Sequence, residues 1–124
     1  MTDKIVVLST CGSPEEAGKI ARELVSQRLA ACVSIVPGVR SLYHWKGALE
    51  DSQEMLLLIK STRELFPRLK TELSRIHSYE VPEIVTLPVE DGAERYLAWM
   101  DAELAPRTDP GPAPPSATRS RRTR

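Results

Sequence analysis

The sequence predicts an α+β sandwich in which four antiparallel strands, in the order 4-1-3-2, are backed by two helices. This is the split βαβ or ferredoxin-like plan, with one extra helix at the C-terminal side. Three observations point there. Apolar residues form strand-like runs and helix-spaced stripes in the order strand, helix, strand, strand, helix, strand. The two middle strands follow one another as a long hairpin, whereas the other connections carry helices. The chain has 124 residues, and its first 104 carry the apolar content of one modest domain.

Ile5-Val6-Val7-Leu8 is a continuous apolar run and reads as a strand buried on both faces, closed by Ser9-Thr10-Cys11-Gly12. Ser13-Pro14-Glu15-Glu16 fits a helix start, with Ser13 as N-cap, Pro14 at the first helical position and Glu16 closing a capping box. Ala17, Ile20, Ala21, Leu24, Val25 and Leu29 then recur at threes and fours, giving one apolar stripe that ends near Arg28. Cys32 to Val36 alternates as a half-buried strand, Pro37-Gly38 interrupts it, and Val39 to Trp45 resumes. Because proline removes a ladder donor, this strand belongs at a sheet edge or is bulged there.

Gly47 marks the turn, and Glu54 to Lys60 returns as a central strand. A second helix begins at Thr62 or just after it, with Phe66, Leu69, Leu73 and Ile76 on its buried stripe and Pro67 in its first turn. Pro82 turns Val81 away from helix, so 77–82 is a connector and Glu83 to Val89 the fourth strand. Asp91-Gly92-Ala93-Glu94 reads as a capping box for a last helix that packs through Leu97, Met100 and Leu104. In this topology Cys11, the His77 to Glu83 loop and the Tyr43 to Lys46 hairpin end meet at one edge.

The formal charge is zero, yet it is divided unevenly. Residues 105–124 carry five Arg against Asp109, a local balance of +4, which leaves −4 on residues 1–104. The domain is thus mildly acidic and no specific nucleic-acid binder, and the Pro- and Arg-rich 105–124 segment is expected to be a disordered tail. No apolar run approaches the ~20 residues of a membrane span, and Met1 to Lys4 lacks the pattern of a secretory signal. With two cysteines, too few for a disulfide framework, the expected location is cytoplasmic.

Gly12 and Ser13 at the first helix N-terminus, with positive charge from Lys60 and Lys46 and walls from Tyr43, Trp45 and Tyr79, form a candidate small-anion site. Capping by Ser13 and interface packing by the aromatics explain the same residues without a ligand. Cys32 reads as core, and His44 as an exposed or interface residue. There is no nucleophile elbow, phosphate-binding glycine loop or His-Glu-x-x-His, so the chain reads as a binding protein and not an enzyme.

Arg28-Leu29-Ala30-Ala31-Cys32-Val33, Val36-Pro37-Gly38, Ser41 to Gly47, Leu58-Ile59-Lys60-Ser61, Tyr79 to Ile84, Leu87-Pro88-Val89 and Tyr96-Leu97-Ala98-Trp99 occur in unbroken order. Through these motifs, over about residues 4–104, the chain resembles the CutA family of divalent-cation tolerance proteins. The resemblance implies a homotrimer whose long hairpins extend one another's sheets, and copper or another divalent metal ion as the bound species. It further implies Cys11, His77 and Glu83 as metal ligands, with Tyr79 beside them. Ser9 aligns where some members carry a thiol, and Ser78 stands where the family has a proline. Read alone, these residues are also a loop thiol, a helix C-terminal cation and a strand-edge charge. An alternative shares the trimeric plan: a small-molecule sensor resembling the PII signalling proteins, with its pocket between subunits.

Overall fold

The computed structural model describes residues 1–105. The expected tail from Pro106 onward lies outside the described residues. In chain order the elements are β1 (Lys4–Cys11), α1 (Pro14–Ser26), β2 (Cys32–Trp45), β3 (Ala48–Thr62), α2 (Phe66–Ile76), β4 (Val85–Pro88) and α3 (Glu94–Glu103). The strands form one sheet in the order β2-β3-β1-β4, with every pair antiparallel, which is the expected 4-1-3-2 order. Among the described residues no helix is long and apolar enough to cross a membrane.

Alternation along β1 and β3 decides what each sheet face carries. Val7, Ser9 and Cys11 lie opposite Ile59, Leu57 and Met55, and this face is sealed by Ala17, Ile20 and Leu24 of α1 and Leu69 and Leu73 of α2. The other face carries Val6, Leu8, Leu56 and Leu58, all half-buried, with Val85 and Leu87 of β4 exposed beside them. α3 closes the end of the sheet where β1 begins. There Asp101 sits 3.0 Å from the buried Lys4 ammonium, and the Ala105 N–H donates to the Arg28 carbonyl at 2.7 Å.

β1 is longer than its apolar run suggests, because Ser9, Thr10 and Cys11 continue the ladder opposite Leu57, Leu56 and Met55. Cys11 is therefore the last residue of a strand and not a loop thiol. The Ser13 hydroxyl caps α1 by accepting from the Glu16 N–H at 3.1 Å, but Glu16 does not complete the box, since its carboxylate is engaged by Ser78. Val25, placed on the buried stripe by spacing, is 41% exposed because the helix ends at the next residue, Ser26, and it is Leu29 beyond the helix that is buried.

β2 carries its bulge between Val36 and Val39, as Pro37-Gly38 requires. The hairpin turns on Lys46-Gly47, both with positive φ (52° and 84°), a type I′ geometry between the paired Trp45 and Ala48. β4 is shorter than expected: Glu83 and Ile84 precede the strand. α3 is capped by Ala93 without a side-chain bond, and Asp91 instead accepts from the Gly92 N–H at 2.8 Å, so the second capping box does not form.

Candidate functional site

β1 ends beside the loop that follows α2, and three residues of that loop are tied down individually. His77 caps α2 with its ring fully buried. Its Nδ1 accepts from the Tyr79 N–H at 3.0 Å, which leaves Nε2 as the protonated nitrogen, donating to the Thr10 carbonyl at 2.8 Å. Ser78 donates its N–H and hydroxyl to the two oxygens of Glu16, at 2.9 and 3.0 Å. Burial alone would raise the Glu16 pKa, but these bonds, the neighbouring His77 and the Gly12 N–H together hold it below the ordinary glutamate value. The Tyr79 hydroxyl donates to Glu54 Oε2 at 2.6 Å. Burial and the Glu54 charge keep this phenol protonated far into the alkaline range.

This loop and the β2–β3 hairpin enclose a pocket of about 900 Å³. Ser78, Tyr79, Glu80, Val81 and Glu83 line one side, Ser41 to Tyr43, Trp45, Glu50, Ser52 and Glu54 the other, and Thr10 lies between them. Four carboxylates and three aromatic rings thus share one cavity. Glu50, Ser52 and Glu54 occupy alternate positions of β3 opposite Tyr43, Ser41 and Val39, so one sheet face presents them together. The Lys46 ammonium stands at the lip, 3.7 Å from Glu80 and 5.7 Å from the Trp45 ring centroid.

Tyr43, Trp45, Tyr79 and Glu83 therefore come together, as the topology implied. Gly12 adjoins Tyr79, whose hydroxyl oxygen lies 3.5 Å from where a Gly12 Cβ would stand. Ser13 is occupied in capping α1. Lys60 lies six residues along β3 from Glu54, opposite Val6 and Cys32, with its ammonium 3.4 Å from the Ser34 hydroxyl and 4.0 Å from the Cys32 sulfur. It is at the other end of the strand from the pocket. Cys32 is half-buried and not a core residue.

Among the described residues no group of three or more His, Cys, Asp or Glu side chains is gathered to hold a metal ion. Glu83 stands on the pocket wall, while Cys11 and His77 are sequence neighbours of the lining residues Thr10 and Ser78. The Cys11 sulfur is buried and 3.7 Å from the Ser13 carbonyl, and burial with the nearby Glu16 and Glu54 pushes its pKa up, away from the thiolate. The donors on the wall are oxygens, the chemistry of hard divalent ions, while the softer sulfur and nitrogen donors preferred by copper are held in the fold. Glu50, Glu54 and Ser52 escaped the sequence reading, although their alternation opposite Tyr43 and Ser41 was a visible signal.

Residues 5–103 match the family model described as CutA1 divalent ion tolerance protein. The chain is 52% identical over 95 residues to the divalent-cation tolerance protein CutA of Thermus thermophilus, covering 77% of this chain and 92% of that protein. A solved Thermus thermophilus structure of that description superposes with a TM-score of 0.79 at 48% identity, covering 82% of this chain and 98% of the other. CutA from Xylella fastidiosa superposes with a TM-score of 0.81 at 39% identity, covering 83% and 99%.

Proposed function

The chain belongs to the CutA1 divalent ion tolerance family, and from that premise we propose that it is a cytoplasmic homotrimer binding copper or another divalent metal ion in metal-ion tolerance. The observation that carries the reading is the pocket wall, where Glu83 stands with Glu50, Glu54 and Glu80 around one cavity. The proposed ligands are Glu83, His77 and Cys11. Glu83 needs no rearrangement. His77 offers Nδ1 only after the Tyr79 N–H lets go, and Cys11 must lose a proton that burial retains. Binding is therefore weak and coupled to opening of the 77–83 loop.

The homotrimer is supported by the half-exposed apolar sheet face and by the hairpin, which carries Leu42, Tyr43, Trp45 and Leu49 at 38% to 66% exposure. Surface of this kind marks an interface. The role is binding and not catalysis, as the motif content of the sequence suggests.

A second reading rests on the three rings and the cavity volume, which suit an organic ligand: a PII-like small-molecule sensor. A competitive titration with Cu(I) under reducing conditions and Cu(II) in air separates the two. The metal reading expects binding that falls at least about tenfold, or ~1.4 kcal/mol, in Cys11→Ser and Glu83→Gln variants that remain trimeric. Equal affinity in all variants overturns the ligand assignment, and a thermal midpoint raised by small organic ligands but not by metals favours the sensor.

A further inference from the structure

β3 gives one face of the sheet a charge at each end. Glu54, Leu56, Leu58 and Lys60 lie on the same side of the strand, because alternate residues point the same way and the bulge is in β2. This is the face that also carries Val6 and Leu8 of β1 and that the helices leave half-exposed. An apolar strip thus runs from the pocket with its four glutamates at one end to Lys60 at the other.

Both charged ends are incomplete within one subunit. Lys60 is half-buried, and its ammonium meets the Ser34 hydroxyl at 3.4 Å and the Cys32 sulfur at 4.0 Å, with no carboxylate paired to it among the described residues. Lys4, Arg28, Arg40, Lys46 and Arg75 each have one. Glu54 is only 6% exposed, and its one hydrogen bond, from the Tyr79 hydroxyl, engages Oε2, so Oε1 has no donor among the described residues. The two groups cannot meet inside one chain, since six residues of β3 hold them roughly 20 Å apart.

We propose that Lys60 of the partner subunit completes the pocket by pairing with Glu54, each copy giving its lysine to one neighbour and receiving a lysine from another. A contact between two different ends of one face is heterologous, and when its rotation closes it makes a ring. The pairing satisfies a half-buried ammonium and a buried carboxylate together, while the apolar strip between them supplies the area that holds the copies in contact. The inference rests on the homotrimer proposed above and adds to it the residue that the site lacks within one chain.

The test uses the full chain, with its assembly state read by sedimentation velocity. A water-soluble carbodiimide joins an ammonium and a carboxylate in contact as an amide. The expected product is a covalent dimer and trimer on a denaturing gel, with mass spectrometry finding the amide between Lys60 of one chain and Glu54 of another. The Lys46–Glu80 pair within each chain, 3.7 Å apart, is the internal control for the reagent. Lys60→Arg keeps the charge, so it remains assembled and loses only the Lys60 link. Lys60→Gln leaves a buried carboxylate unpaired and raises the dissociation constant at least about tenfold, whereas with Glu54→Gln already present the same change alters it less than about twofold. A trimer in which the control link forms, no Lys60–Glu54 link accompanies it and the two substitutions act additively overturns the inference and leaves the trimer standing. A chain that sediments as a monomer overturns the trimer, and the inference with it.

Discussion

At the residue scale, several polar side chains buried in this fold are explained by their partners. The Ser61 hydroxyl donates to the Leu29 carbonyl at 2.7 Å, and His77 satisfies a carbonyl and an N–H at once. Ser9 is different: its hydroxyl is buried on the helix-facing side of β1 with no hydrogen-bond partner among the described residues. Removing an unpaired buried hydroxyl relieves a desolvation cost, so Ser9→Ala is expected to leave stability unchanged or raise it by about 1 kcal/mol, read from the urea midpoint. Glu16 contributes to the acid side of the stability profile. Its folded pKa is depressed, so its contribution is fully present above the unfolded value and disappears as pH falls through the folded one. Between roughly pH 6 and pH 3 the chain should lose stability more steeply than Glu16→Gln, in chemical denaturation at each pH. A matching slope in the two proteins would deny Glu16 this role.

At the element scale, the hairpin carries the site, because it brings Tyr43, Trp45, Glu50 and Glu54 to the loop after α2. Its turn needs two successive residues with positive φ, and Gly47 supplies the second at 84°. Gly47→Ala places a side chain in that conformation and is expected to cost about 1–2 kcal/mol, seen as a lower denaturation midpoint and weakened pairing of Trp45 with Ala48 by hydrogen exchange. Unchanged protection there would mean that the turn does not hold the hairpin. The elements also show which signals were readable. Helix periodicity placed the α1 stripe at Ala17, Ile20 and Leu24 and the α2 stripe at Leu69 and Leu73, because each helix needs only one buried side. Both predicted capping boxes failed for a different reason. Their acidic side chains had alternatives: Ser78 captured Glu16 from 62 residues away, and Asp91 bonded the adjacent Gly92 N–H.

At the scale of the whole molecule, the helices among the described residues cover one side of the sheet and leave the other half-exposed. Leu87 is 51% exposed and lies beside Val6 on the uncovered face, so a charge there costs a single subunit little, whereas it would be costly where copies meet. Leu87→Asp is expected to leave the circular dichroism unchanged and convert the proposed trimer to smaller species in sedimentation velocity. A trimer that withstands the substitution would place the interface elsewhere.

The sequence by itself determined the strand and helix order, the edge position and bulge of β2, and membership of the family. These follow from local periodicity, from the missing proline donor and from motifs that survive in unbroken order. It also implied that the hairpin end and the 77–83 loop meet. Only the tertiary structure decided what that meeting makes. Cys11 and His77 are turned to the service of the fold, because a thiol at the end of a buried strand lies in the core and a capping imidazole between two backbone groups has both nitrogens engaged. Glu54 and Glu80, which the sequence reading did not place in the site, became the wall, since strand pairing and the path of a loop bring them within one cavity from 26 residues apart. Hydrogen-bond competition and the direction of a side chain depend on neighbours distant in sequence, and it is packing that supplies those neighbours.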